Sequence, residues 1–176
     1  VFSANAEFQK GYEINFATAS FGQGIEMTPM QILKVFSAIA NNGVPMNPFV
    51  ADKVISNGGI VSQMNQEFQA KKPIISSKTV SDLTAMLVSV VQNGFAKSAG
   101  IPGYYVAGKT GTAEISWSAL GIARSGYSDQ TVQSFIGYAP AFNPRFIILV
   151  KLDNPQTKPA EYSATPIFRD LAKYIL

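Results

Sequence analysis

The sequence predicts an α+β fold in which helices cover an antiparallel sheet. Two apolar stripes at helical spacing, each with start and stop signals, occupy its first half; β-like runs take over from Tyr104, and a last helical stretch closes the chain. Residues 1–26 are turn-rich, end in Phe21-Gly22-Gln23-Gly24, and read as irregular structure.

Thr28-Pro29-Met30-Gln31 then opens a helix over 29–42. Thr28 can accept from an early backbone N–H, Pro29 presets φ, and Gln31 can reach back to complete a capping box. Ile32, Val35, Phe36 and Ile39 form its apolar stripe, and Gly43 supplies a left-handed stop. Residues 44–75 alternate short β-like pieces, Phe49 to Ile55 and Ile60 to Met64, with turn signals at Pro45, Pro48 and Asn57-Gly58-Gly59. A second helix runs from about Lys78 to Asn93, opened by Ser76 or Ser77, with Val80, Leu83, Leu87 and Val90 on one face and Gly94 at its end. Strands follow at Tyr105 to Ile115, Thr131 to Tyr138 and Phe146 to Leu152, the last two as an antiparallel hairpin. The final helix, near Ser163 to Tyr174, is expected to pack Ile167, Phe168, Leu171 and Ile175 on the sheet.

Composition narrows the chemistry. The chain has 176 residues, the length of one domain or a large piece of one. Only 14% of its residues are charged, against roughly 25% in an average soluble domain, so some apolar surface is expected to meet a partner or a missing segment. A net charge of +3 with scattered basic residues gives no nucleic-acid footprint. Without cysteine there are no disulfides and no thiol catalysis; without histidine, Ser-His-Asp machinery and the usual zinc ligands are excluded, and any nucleophile must use lysine or a carboxylate as base. No cofactor and no metal site are expected. Phe146 to Val150, the longest strongly apolar run, is far short of the ~20 residues a spanning helix needs, so no membrane contact by this segment is expected. Because the chain starts at Val1, it reads as a processed or trimmed product.

The most informative charge is Lys109, in Val106-Ala107-Gly108-Lys109-Thr110-Gly111-Thr112-Ala113. A lone strand lysine is ordinarily just solvated. Glycines inside a strand weaken it, however, and two beside one lysine suggest close approach by another backbone or a ligand. Gly103 to Thr110 also matches the phosphate-loop pattern of nucleotide hydrolases, which needs a strand before the first glycine and a helix opening at the lysine. Here Pro102 precedes, Tyr104-Tyr105-Val106-Ala107 fills the loop with strand formers, and Gly111 sits where the helix should begin. A phosphate-loop hydrolase stays a remote alternative.

Lys109-Thr110-Gly111-Thr112 resembles the Lys-Thr-Gly element of penicillin-binding proteins and serine β-lactamases. Other stretches agree in order and spacing: Ala19-Ser20-Phe21-Gly22-Gln23-Gly24-Ile25, Ala38-Ile39-Ala40-Asn41-Asn42-Gly43, Phe135-Ile136-Gly137-Tyr138-Ala139-Pro140 and Ala164-Thr165-Pro166-Ile167-Phe168-Arg169. From about Tyr12 onward the chain resembles the C-terminal half of a class B penicillin-binding protein, closest to the division-type peptidoglycan D,D-transpeptidases. The resemblance implies a partial β-lactamase-like transpeptidase fold, with residues 1–176 forming the C-terminal part of a single domain. It implies as partners a peptidoglycan stem peptide, β-lactams and the N-terminal remainder of that domain, and a membrane-anchored parent acting on the extracytoplasmic face of the bacterial membrane. Lys109, Thr110, Gly111 and Thr112 would bind a substrate ending in D-Ala-D-Ala laid alongside as an added strand, Thr112 giving a backbone N–H to the oxyanion; Gln23 would face the cleft.

The family's nucleophile is absent. No lysine has serine three positions earlier, so there is no Ser-x-x-Lys, and Ser3-Ala4-Asn5 matches Ser-x-Asn without the helix that should follow it. Two readings stay open: a transpeptidase fragment inactive alone, or a non-catalytic ligand-binding or interaction module of the same fold. Trp117 and Tyr127 follow the lysine strand in a loop and are candidates to line a groove or simply to pack, and Glu114 and Asp129 form no readable acid–base pair.

Overall fold

The computed structural model describes residues 10–20, 22, 25, 27–51, 53–63 and 72–176. Gln23 and Ser3-Ala4-Asn5 lie outside them. Four α-helices and five strands occur among the described residues, in the order α1 (Glu13–Ser20), α2 (Pro29–Ala40), β1 (Lys53–Ser56), β2 (Gly59–Gln63), α3 (Ser77–Gln92), β3 (Ala107–Ser116), β4 (Tyr127–Ala139), β5 (Phe146–Asp153) and α4 (Ala164–Ile175). None of these helices is long and apolar enough to cross a membrane.

The α2 start is the predicted capping box. Gln31 N donates to Thr28 Oγ1 at 3.3 Å, and Thr28 N donates to Gln31 Oε1 at 2.8 Å. The helix stops at Ala40 because Asn42 and Gly43 turn left-handed, with φ of 48° and 92°. Its buried face is centred on Ser37 and Ala38, and Val35 is exposed. Ser37 is tolerated inside because its hydroxyl donates to Lys34 O at 2.7 Å and accepts from Met46 N at 2.7 Å. In α3, capped by Ser76 Oγ on Thr79 N, the deepest residues are Thr84, Val88 and Val91, one step round from the predicted stripe.

Two further expectations change. α1 replaces irregular structure: it buries none of its residues, so the periodic apolar signal that identifies a packed helix is missing from Glu13–Ser20. In α4 the residues that meet the sheet are Ala164, Thr165, Phe168 and Ala172; of the four predicted, Phe168 alone is buried, while Ile167, Leu171 and Ile175 stay exposed. Small residues at 164 and 172 let the helix sit close, and a flank of larger apolar residues is left outside.

The main sheet is antiparallel with order β3-β4-β5, and β1 and β2 form a separate hairpin. Tyr127 opens β4 rather than lying in a loop, because Ser116 pairs with it. α4 packs on one face, where Phe135 and Phe168 meet edge to face at 4.7 Å between ring centres. On the other face Tyr138 and Ala107 pack with Val88 of α3 and Phe36 and Ile39 of α2. The Tyr138 hydroxyl crosses the layer to hydrogen-bond Thr84 Oγ1 at 2.9 Å, both residues being buried.

Two predictions follow from that bond. Tyr138→Phe leaves the Thr84 hydroxyl without its partner and should lower unfolding free energy by about 1–3 kcal/mol, with partial recovery in the Tyr138→Phe/Thr84→Val pair, as read by urea denaturation. Burial holds the Tyr138 phenol above its ordinary 10.0, the bond to Thr84 opposing it. The unfolded chain therefore ionises first: the contribution is complete below about pH 10 and is lost as pH rises through the raised folded value. Alkaline unfolding should be less steep in Tyr138→Phe.

Candidate functional site: the free edge of β3

β3 is an edge strand, with β4 on one side and no strand on the other among the described residues. Its pairs across β4 are Gly108↔Gly137, Lys109↔Ile136, Thr110↔Phe135, Gly111↔Ser134 and Thr112↔Gln133. The pleat alternates, so Lys109 and Gly111 share the face of α2 and α3, and Thr110 and Thr112 the face of α4. What these residues have in common is the open edge.

Lys109 is exposed, and its ammonium donates to Thr110 O at 3.0 Å. The ion pairs among the described residues use other lysines and Arg169, which leaves Lys109 with a carbonyl contact in place of a carboxylate. The Thr110 and Thr112 hydroxyls make no hydrogen bond among the described residues, Thr110 being half-buried and Thr112 exposed. The edge thus offers a cation and two hydroxyls to an incoming anion or peptide terminus.

The flanking glycines have a cause the sequence did not reveal. A Cβ on Gly108 would stand 2.4 Å from Phe135 Cζ, and one on Gly111 would stand 2.6 Å from Ser134 Oγ. The close approach inferred for these glycines is filled by β4's own side chains. Below Thr112, Gln133 is almost fully buried, donating to Thr131 Oγ1 at 3.1 Å and accepting from Ser163 Oγ, which ties β4 to the segment leading into α4. A glutamine amid apolar alternation was the available signal for this anchor.

No helix opens at Lys109, because β3 runs through it, so the phosphate-loop alternative fails on geometry. Trp117 starts the turn beyond β3 and carries the Arg124 guanidinium 4.9 Å from its ring centre. Glu114 lies opposite Thr131 and Asp129 further along β4, and neither pairs with an acid or base. Two grooves, of about 440 and 310 Å³, lie around α2; the first is lined by Leu33, Met46, Phe49 and Ile147, the second by Val80, Thr84 and Phe142, and neither includes Lys109 to Thr112.

Residues 2–173 match the penicillin binding protein transpeptidase domain family. Among curated relatives, the stage V sporulation protein D of Bacillus subtilis is 36% identical over 141 residues, covering 80% of this chain and 21% of that protein. The penicillin-binding protein PbpB of Mycolicibacterium smegmatis is 34% identical, covering 92% of this chain and 26% of its own length. Among solved structures, the apo form of penicillin binding protein 3 from Mycobacterium tuberculosis is 32% identical with a TM-score of 0.73, over 92% of this chain and 37% of the other. That protein has also been crystallised with aztreonam and with ampicillin. The transpeptidase domain of Burkholderia pseudomallei penicillin-binding protein 3 gives 29% identity and a TM-score of 0.73, over 95% of this chain and 47% of that one. The chain therefore spans less than half the length of these relatives.

Gly108→Ala should destabilise the fold by about 1–3 kcal/mol, because the new methyl overlaps a fully buried ring that has no free volume to retreat into. Gly111→Ala should be milder, since a serine hydroxyl can rotate away, and Gly111→Ala/Ser134→Ala milder still. Thermal melts of the three variants give the order.

Proposed function

Because the chain belongs to the penicillin-binding protein transpeptidase domain family, we propose that it is the C-terminal part, residues 1–176, of a single peptidoglycan D,D-transpeptidase domain and supplies that domain's substrate-binding strand. The observation that carries this reading is the open β3 edge with an exposed lysine that lacks a carboxylate partner. A peptide ending in D-Ala-D-Ala adds to that edge as a further strand, main chain to main chain. Its terminal carboxylate draws the Lys109 ammonium from the Thr110 carbonyl and takes hydroxyl donors from Thr110 and Thr112. A side chain alternating onto the other face reaches that carboxylate only at an edge, where no neighbouring strand blocks the turn. The Thr112 backbone N–H faces the scissile carbonyl and stabilises the oxyanion, a contact worth about 3–4 kcal/mol of barrier.

The serine that attacks that carbonyl, and the lysine that takes its proton, belong to the remainder of the domain. Attack expels the terminal D-alanine and leaves an acyl-enzyme, which an amine of a second stem peptide resolves; β-lactams stop at the acyl stage. The parent acts at the extracytoplasmic face of the membrane, where its polymer is. A non-catalytic ligand-binding or interaction module of the same fold is the second reading.

Fluorescent penicillin separates the two. The full-length protein should label covalently and the isolated chain should not; labelling of the isolated chain, or failure of the full-length protein, overturns the first reading. In the full-length protein Lys109→Ala should slow acylation about 10- to 100-fold, the loss of one charge-assisted contact, while stability changes by less than about 0.5 kcal/mol. An unchanged rate returns Lys109 to an ordinary solvated lysine.

A further inference from the structure

Asparagine followed by glycine is the dipeptide at which a chain most readily attacks its own side chain, because glycine has no Cβ to hold its amide nitrogen away. This sequence contains three such pairs: Asn42-Gly43, Asn57-Gly58 and Asn93-Gly94. The fold treats them differently.

Two are locked. Asn42 and Gly43 form the left-handed stop of α2, where Gly43 N donates to Ala38 O at 2.7 Å and Gly43 O accepts from Ile74 N at 2.9 Å. A Cβ on Gly43 would stand 2.3 Å from Ile75 O, so the engaged nitrogen also lacks room for a ring to close on it. At the end of α3, Gly94 N is shared between Ser89 O and Val90 O, both at 3.2 Å, and the Asn93 side-chain amide donates to Ser89 Oγ at 3.3 Å. Reaction at either place first requires the helix end to come apart.

Asn57-Gly58 is open. It forms the tip of the β1–β2 hairpin, between the paired residues Ser56 and Gly59. Every residue from Lys53 to Ile60 is exposed, and a Cβ on Gly58 or Gly59 would meet nothing within 4 Å. Neither the Asn57 side chain nor Gly58 N makes a hydrogen bond among the described residues. Gly59 takes the positive φ of the turn, 116°, which leaves Asn57 with an ordinary backbone. β1 and β2 pack mainly on each other, and a two-stranded hairpin is only marginally stable alone, so the tip opens at small cost.

We propose that Asn57 is a site of spontaneous deamidation, a covalent modification with water as its only co-reactant. The Gly58 nitrogen gives up its proton and attacks Asn57 Cγ. The Cγ–Nδ2 bond breaks, and that nitrogen leaves as ammonia, carrying the proton Gly58 gave up. Water then opens the five-membered imide at one of its two carbonyls. One opening yields aspartate at position 57; the other yields isoaspartate, whose main chain runs through the former side chain. Both put a negative charge at the tip. Isoaspartate also adds a main-chain methylene to a two-residue turn, which disrupts the Ser56↔Gly59 pairing.

The three dipeptides fall on separate tryptic peptides, 35–53, 54–71 and 79–97, so one digest reads all of them. The full-length protein, aged in mildly alkaline buffer before digestion, should show the mass rise of an amide-to-acid exchange at Asn57 at least about 10-fold faster than at Asn42 or Asn93. Equal or slower reaction at Asn57 overturns the proposal, whether a rigid turn or a covering segment is the cause. In concentrated urea the three rates should converge; an undiminished lead for Asn57 there assigns the ranking to neighbouring residues instead of the fold, and overturns it too. An isoaspartyl methyltransferase with a labelled methyl donor should mark peptide 54–71 of the aged protein, and Asn57→Gln and Gly58→Ala should each remove most of that mark. A mark that survives both substitutions overturns the assignment to Asn57. None of these readouts involves acylation, so the transpeptidase reading and the deamidation site stand or fall separately.

Discussion

The packing of Phe135 is the constraint on which the rest depends. Its ring comes from the central strand β4, occupies the space a side chain at 108 would need, and meets Phe168 edge to face. One aromatic group thus sets the closeness of β3 to β4 and the seat of α4 on the sheet. Gly137 follows from the same crowding, since a Cβ there would stand 2.9 Å from both Phe135 Cε1 and Phe168 Cζ. A fully buried aromatic pair of this kind stabilises by area and by ring geometry together. The layer on the opposite face is held differently, by the polar contact between Thr84 and Tyr138 within an apolar surround.

This arrangement gives the open strand its rigidity. The backbone of Lys109 to Thr112 is paired residue by residue with β4, which Gln133 and Ser163 tie down from beneath. On the proposed reading, a peptide laid along the strand would meet a prearranged ladder of main-chain groups, so little ordering would be required at the moment of binding. The side chains are less constrained, as the Lys109 contact with its neighbour's carbonyl illustrates.

Local chemistry was legible in the sequence and crowding was not. The Thr28–Gln31 capping box, the Ser76 cap, the Asn42-Gly43 stop and the β4–β5 hairpin all declare themselves within a few residues, and the structure forms each of them. α1 was missed because it presents no buried stripe. The buried faces of α3 and α4 were displaced because spacing ranks bulky residues first, whereas the sheet accepts Thr84, Ala164 and Ala172 where layers approach closely. The glycines around Lys109 signal want of space, but the occupants, Phe135 at 108 and Ser134 at 111, lie more than twenty positions away. That pairing is a long-range fact, invisible without the register. The lysine motif itself was legible through resemblance, since three residues on a strand specify no chemistry by themselves.

The crowding behind the open strand also restricts how this protein can evolve. At 108 and 111, where a single added methyl would alter the floor of the strand, the path is obstructed from behind by Phe135 and Ser134. Replacement at 108 is contingent on a compensating change in β4, so it needs two mutations in the same gene and passes through a handicapped intermediate, whereas at 111 the Ser134 hydroxyl can turn aside. On the proposed reading, heritable adjustment of ligand preference is thereby channelled away from position 108.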